Sequence, residues 1–382
     1  MAVSPGIEQL ASSRPGPLAG RRVGLLTNQA GVLPDLRHGL DVLLEAGVRV
    51  TAGFGPEHGF RGSAQAGSSE PTTTDPGTGI PLYDTYGGGS SRLAEQLHTA
   101  GVEVLVADLQ GVGVRFYTLV STLYDAIEAA GRAGVGVLVL DRPNPLGGTR
   151  VEGPVLEPAF ASFVGRAPIP LRHGMTPGEL ALLFASLLGS SGVEVVRMAG
   201  WRRSMSFAAT GLPWVPPSPN MPTPATALCY PGTCLLEGTN LSVGRGTTTP
   251  FEVFGAPWAD GRLAAQLRER PLAGVRVREA HFVPTFSAYA GQVVHGAQLH
   301  VVDREVFDPI RVGLEVLAVT ARTWPGRFEF DEAHFDRLCG TDSVRLSLSQ
   351  GVEVETICRS WRDDLGAFCS RRQAHLLYGD AP

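Results

Sequence analysis

A glutamate and a histidine stand side by side in the segment Phe54-Gly-Pro-Glu57-His58-Gly-Phe-Arg61-Gly62. A run of strand character ends there, and glycine and proline force an irregular backbone. Little bulk surrounds the carboxylate and the imidazole, so a ligand could approach both. A solvated turn is the plain alternative for the dipeptide alone. Glycoside hydrolysis needs a protonated acid near the leaving oxygen and usually a second carboxylate as base or nucleophile. Glu237, Asp108, Asp141 and Glu152 are the candidates for that second group. Asp108 and Asp141 close predicted strands and read better as caps of the following turns. Glu237, set in a glycine-rich polar segment, is the better choice. His58, Asn28, Gln110, Asn144 and Asn240 carry the donors and acceptors that sugar hydroxyls require.

These residues need a frame. Strand candidates are Val23 to Thr27, Val48 to Phe54, Val102 to Asp108 and Val135 to Asp141, with apolar residues at helical spacing in Leu36 to Ala46, Arg92 to Ala100 and Leu119 to Ala133. Alternation of this kind predicts βαβ units and a mainly parallel sheet. Thr176-Pro-Gly-Glu179 resembles a helix start with a capping-box glutamate, leading through Leu188 to a strand at Val193 to Met198. Four strand ends open into polar loops: Thr27 to Gly31, Gly55 to Gly62, Gln110 to Tyr117 and Arg142 to Gly148. In open parallel sheets ligands bind outside the carboxyl ends of strands, so these loops would form one rim. Asn28 and Asn144, two of the four asparagines, lie on it. Asparagine also stabilises turns by itself, a reading of nearly equal weight.

From Arg202 the pattern changes. Leu212 to Pro224 holds six prolines and suits neither helix nor central strand. Trp214 and Met221 suggest packed, extended chain there. Beyond lie two polar segments set among glycines, Tyr230 to Asn240 and Leu241 to Pro250, then strands near Val275 to Phe282 and Gly296 to Val302 and a helix near Pro309 to Thr323. The chain divides into an α/β domain over residues 1–225 and a smaller α+β domain over 226–382.

Composition bounds the chemistry. A length of 382 residues with 43% hydrophobic and 18% charged residues suits a folded two-domain protein. Net charge is −5, so a basic nucleic-acid footprint is not expected. No apolar run approaches a membrane span. The start, Met1-Ala-Val-Ser-Pro-Gly, lacks a basic region followed by an apolar stretch, which points to the cytoplasm unless a leader was removed. The five cysteines form no C-x-x-C pair, arguing against a disulfide framework and a zinc ribbon. All 32 basic residues are arginine, and the absence of lysine excludes a Walker A loop, a Schiff base and pyridoxal phosphate. Anionic groups must be met by arginine or backbone N–H. Gly111-Val-Gly113-Val-Arg-Phe116 starts like a dinucleotide fingerprint, but Phe116 occupies the third glycine position. No G-x-S-x-G or H-E-x-x-H occurs. Neither a cofactor nor a metal is expected.

Ten phrases resemble, in order, the NamZ-type exo-β-N-acetylmuramidases: LLTNQAG, FGPEHGFRG, DLQGVGVRFYT, DRPNPLGG, VEGPVL, IPLRHGMTPGELA, GLPWVPPSPNMPT, YPGTCLLEGTN, GRGTTTPFE and PTFSAYAGQ. They run from about Arg22 to the C-terminal region. The resemblance implies release of non-reducing terminal N-acetylmuramic acid from cell-wall fragments, and a Rossmann-like domain joined to a smaller α/β domain with the active site in the cleft between them. It implies Glu57 as the leading catalytic residue. Glu237 is the second catalytic candidate, and Asn28, His58, Gln110, Arg115, Tyr117, Asn144, Asn220, Asn240 and Arg245 are the substrate-binding set. N-acetylmuramic acid carries a lactyl carboxylate, and Arg115 and Arg245 are the arginines best placed in sequence to meet it. A non-catalytic muropeptide-binding protein is the alternative reading, and a nucleotide-dependent oxidoreductase a weaker third.

Overall fold

The computed structural model describes residues 2–12, 16–68 and 70–379. Two compact units form, one from Met1–Arg150, His173–Pro219 and Ser370–Pro382, the other from Val151–Arg172 and Asn220–Cys369. The chain runs through α1 (Gly6–Ser12), β1 (Val23–Thr27), α2 (Gly39–Glu45), β2 (Val50–Gly55), β3 (Thr73–Thr74), β4 (Pro81–Asp84) and α3 (Gly89–Thr99). Next come β5 (Val104–Asp108), α4 (Thr118–Ala133), β6 (Gly136–Leu140), β7 (Glu152–Val155), β8 (Pro170–Arg172), α5 (Pro177–Leu188) and β9 (Val193–Val196). They are followed by α6 (Pro224–Thr233), β10 (Val253–Ala256), α7 (Arg262–Arg268), β11 (Val275–Phe282), β12 (Val294–Val301) and α8 (Pro309–Thr323). Helices α9 (Glu332–Cys339), α10 (Ser343–Ser349), α11 (Val354–Ser360) and α12 (Arg362–Arg372) complete the set.

The first unit holds a seven-stranded sheet in the order β3-β4-β2-β1-β5-β6-β9. Every pairing is parallel except β3 with β4 at one edge. The five strands read from the sequence of this unit all appear, with ends moved by at most two residues. Their β-branched composition fits burial on both faces, and β1 and β5 are buried at every position. The central crossing Val23↔Val104 to Thr27↔Asp108 sets the register in which the strand ends present their loops. Strand β4, second from the edge, starts on a proline and was not anticipated; pairing with β2 on one side and the two-residue β3 on the other forms it all the same. Helix α4 carries Leu119, Leu123, Ala126, Ile127 and Ala130 on its buried face and stops at Gly134, whose φ of 66° suits a left-handed cap.

The second unit contains an antiparallel sheet, β10-β12-β11, and the short pair β7-β8. Helices α6 and α8 cross where Gly232 lies against Pro309 and Gly313, and a Cβ at either glycine would collide with the opposite backbone. Close helix approach therefore requires both glycines. Segment Tyr230 to Asn240 differs from its expected form. Its first residues belong to α6 and Cys234–Gly238 is a 3-10 turn. Pro231 and Gly232 inside the helix masked its period.

Asp141 joins four segments of the first unit. It follows β6, is fully buried, and accepts four bonds: from the N–H groups of Arg142 (2.9 Å) and Gly178 (2.7 Å), from Thr176 Oγ1 (2.8 Å) and from Tyr378 Oη (2.6 Å). Its carbonyl accepts the Gly6 N–H of α1 at 2.8 Å. The expected capping box is present: Thr176 Oγ1 accepts from the Glu179 N–H, and Glu179 Oε2 accepts from the Thr176 N–H. Burial pushes the Asp141 carboxyl up from 3.8 to about 6, and the bond from Tyr378 works against that rise. A raised carboxyl contributes stability that is full below about pH 4 and is lost as pH rises through about 6. Tyr378 favours the anion, so Tyr378→Phe should cost more in the alkaline range, ~2 kcal/mol at pH 8, and less at pH 4.5. Thermal unfolding at the two pH values checks this. A loss of equal size at both would refute the role given to Tyr378.

Candidate active site

The carboxyl ends of β1, β2, β5 and β6 present the loops that carry Asn28, Glu57 with His58, Gln110 with Arg115 and Tyr117, and Asn144, all in the first unit. Glu57 is only 9% exposed, and each of its oxygens has a donor of its own. Oε1 accepts the Gly67 N–H at 2.7 Å and Oε2 accepts the Thr118 hydroxyl at 2.6 Å. Two bonds of this kind hold the carboxylate in one orientation. The partners come from unlike places, an exposed loop for Gly67 and the first residue of α4 for Thr118. Tyr86, just beyond β4, lies close enough that the Glu57 charge, after burial, raises its phenol above the usual value.

His58 has φ 75°, a left-handed backbone that is uncommon for histidine. Its Nδ1 meets Ala64 O at 3.1 Å, which places the ring proton on Nδ1 because a carbonyl can only accept. His58 therefore holds its own loop.

The rim asparagines are tied into the backbone. Asn28 is fully buried; its Nδ2 donates to Pro217 O at 3.2 Å and its Oδ1 accepts from Ala30 N–H at 3.2 Å. Gln29 Nε2 donates to Pro216 O at 3.0 Å, so the proline-rich stretch is packed, extended chain pinned to the β1 loop. Asn144 Nδ2 donates to Met175 O at 3.0 Å and its Oδ1 accepts from Leu146 N–H at 2.9 Å. Gly113, with φ 85°, leaves the space that Asn144 Oδ1 fills. Gln110 Nε2 donates to Gly111 O at 2.8 Å and Pro143 O at 2.9 Å, linking the β5 and β6 loops. Arg115 is fully enclosed and Tyr117 buried. Asp108 forms a buried two-point pair with Arg142, at 2.5 Å from Nε and 2.8 Å from Nη2. Asp108 and Asp141 are thus structural anchors of the rim.

The second unit carries the other expected residues. Glu237 accepts from Arg245 Nε at 2.5 Å and from Nη2 at 3.2 Å, and the guanidinium lies 4.9 Å from the centre of the Phe251 ring. Burial works against the Arg245 charge, but the Glu237 carboxylate outweighs it and the arginine's pKa is raised. Asn240 is bonded to the chain, with Nδ2 donating to Arg327 O at 2.7 Å and Oδ1 accepting from Glu329 N–H at 3.0 Å. Asn220 is buried, and Glu152 pairs with Arg172 at 3.0 Å. Thr118, Gly67 and Tyr86 escaped sequence reading. Thr118 had a signal as the opening residue of a helix beside the rim, whereas Gly67 had none.

A parallel α/β sheet whose strand-end loops hold one oriented carboxylate among side-chain amides is compatible with glycoside hydrolase chemistry, and the class itself follows from the family. The chain belongs to the NamZ family of exo-β-N-acetylmuramidases: residues 23–225 match the family's N-terminal domain and residues 228–378 its C-terminal domain. It is 45% identical over 380 residues to the peptidoglycan β-N-acetylmuramidase NamZ of Bacillus subtilis (strain 168), covering 98% of this chain and 91% of that protein. Two crystal structures of DUF1343 family proteins from Bacteroides fragilis NCTC 9343 share the fold. One superposes with TM-score 0.91 at 36% identity over 99% of both chains, the other with TM-score 0.81 at 31% identity over the whole of both.

Proposed function

We propose that the protein removes non-reducing terminal N-acetylmuramic acid from peptidoglycan fragments, with Glu57 as the general acid. The observation that carries this reading is the two-sided hold on the Glu57 carboxylate. A backbone N–H can only donate, whereas the Thr118 hydroxyl can also accept, so in this reading Oε2 is the oxygen that carries the transferable proton. Thr118 can go on donating to the second lone pair of Oε2 while that proton faces the glycosidic oxygen. Catalysis by proton donation of this kind contributes about 10²- to 10⁴-fold. Membership of a hydrolase family supports turnover over a binding-only role. Glu57→Gln keeps the shape and removes the proton; it should stay folded and lose at least about a hundredfold in turnover of a chromogenic N-acetylmuramide. Near-normal turnover would sink the assignment.

The lactyl carboxylate of N-acetylmuramic acid calls for a cation. Arg115 is fully enclosed, whereas Arg245 is partly exposed, and its pair with Glu237 uses Nε and Nη2, so Arg245 is the arginine we propose for the lactyl group. In this reading Glu237 orients Arg245. Arg245→Met should raise KM for the N-acetylmuramide about tenfold or more and narrow its preference over the N-acetylglucosaminide. An unchanged ratio of kcat/KM for the two sugars would assign lactyl recognition elsewhere.

All five cysteines are free thiols, which suits a reducing compartment, and the cytoplasm is the proposed place of action. Cell fractionation should find the protein with cytoplasmic markers; recovery from medium or wall would overturn this. Among the described residues no helix is long and apolar enough to cross a membrane.

A further inference from the structure

We propose that Glu70 is a positioning residue for Glu57, acting through the loop that carries Gly67; this rests on the reading of Glu57 as the general acid. Strand β2 ends at Gly55 and β4 begins at Pro81, so a long connection follows Glu57 directly. Part of it doubles back, and the Gly67 N–H reaches Glu57 Oε1. Residues 65–68 around that N–H are exposed to solvent. An exposed turn gains conformational entropy by leaving, so the donor stays only if the turn is tied at its base.

Two clasps tie it. The first is His58, whose N–H donates to Ser68 O at 3.2 Å while its carbonyl accepts from Ala64 N–H at 3.1 Å and its ring donates to Ala64 O. The second is Glu70. Its Oε2 accepts the Phe60 N–H at 3.2 Å, and its Oε1 accepts both the Ser63 N–H at 3.2 Å and the Ser63 hydroxyl at 2.5 Å. Phe60 is 1% exposed and anchored in the core of the first unit, so Glu70 fastens the returning strand of the loop to a fixed point. Gly59, with φ 86°, is required on steric grounds, because a Cβ there would collide with the Glu70 carboxyl group. Glu70 thereby joins the core anchor at Phe60 to the turn that supplies one of the two donors to Glu57. Its carboxylate does not take part in the chemistry.

The test compares Glu70→Ala, Glu70→Gln and Ser63→Ala with Glu57→Gln on a chromogenic N-acetylmuramide, each first checked by circular dichroism. Glu70→Ala should lower kcat about ten- to a hundredfold with KM changed less than about threefold, as expected when a reacting group is displaced and binding is not. Glu70→Gln retains an acceptor for Ser63 and should recover part of kcat. If Glu70→Ala fails to fold, Ser63→Ala carries the test, with a smaller loss of kcat and KM again nearly unchanged. Wild-type kcat in the Glu70 and Ser63 variants, with Glu57→Gln inactive, would overturn the role of Glu70 and leave that of Glu57 standing. Full activity of Glu57→Gln would remove the underlying reading instead. Rescue of Glu70→Ala by added azide or formate would also overturn positioning, because it would show a carboxylate acting directly.

Discussion

A fully buried carboxylate has to be answered by donors, and the first unit is organised around that requirement at Asp141. Its four donors come from its own strand end, from the start of α5 and from the C-terminal segment, while its carbonyl takes the first N–H of α1. The neighbouring Asp108–Arg142 pair extends the same logic to β5, and Arg142 Nη2 donates further to Val32 O at 3.0 Å in the β1 loop. Breaking a buried group of this kind leaves charge or donors without compensation, typically a cost of several kcal/mol. The strand ends are thus held at fixed heights relative to one another, and with them the loops that carry Glu57, Gln110 and Asn144.

On that platform the polar side chains divide their labour. Asn28, Gln110 and Asn144 bond to backbone groups of neighbouring loops, so they shape the rim. Glu57 differs: its donors are an exposed loop N–H and a helix-start hydroxyl, and they fix the direction of the carboxylate. In the proposed role of Glu57 as general acid, a carboxylate already aimed would lose little entropy when substrate arrives.

Much of the fold was legible because its signals are local. The strands Val23–Thr27 and Val193–Val196 and the helix Pro309–Thr323 follow from β-branched runs, apolar spacing and caps. Helix α6 was not legible, since Pro231 and Gly232 argue for a turn and only the glycine contact with α8 makes that helix worthwhile. Strand β4 was missed for a related reason, its proline being acceptable only next to the sheet edge. Around Glu57, the Glu57-His58 pair stood out by residue type, and the His58 ring bonds to its own loop; Thr118 was marked only by its place at a helix start, and Gly67 and Glu70 carried no chemical signature in sequence.

Sequence alone determined the class of scaffold and the ordered family phrases, and it put Glu57 forward as a candidate carboxylate, because periodicity and residue chemistry are encoded along the chain. Tertiary structure decided which groups answer each carboxylate: Thr118 and Gly67 for Glu57, Arg142 for Asp108, Tyr378 for Asp141 and Arg245 for Glu237. Pairings of this kind span from a few residues to more than two hundred. A hydrogen bond depends on distance and angle in space, and separation along the chain constrains neither.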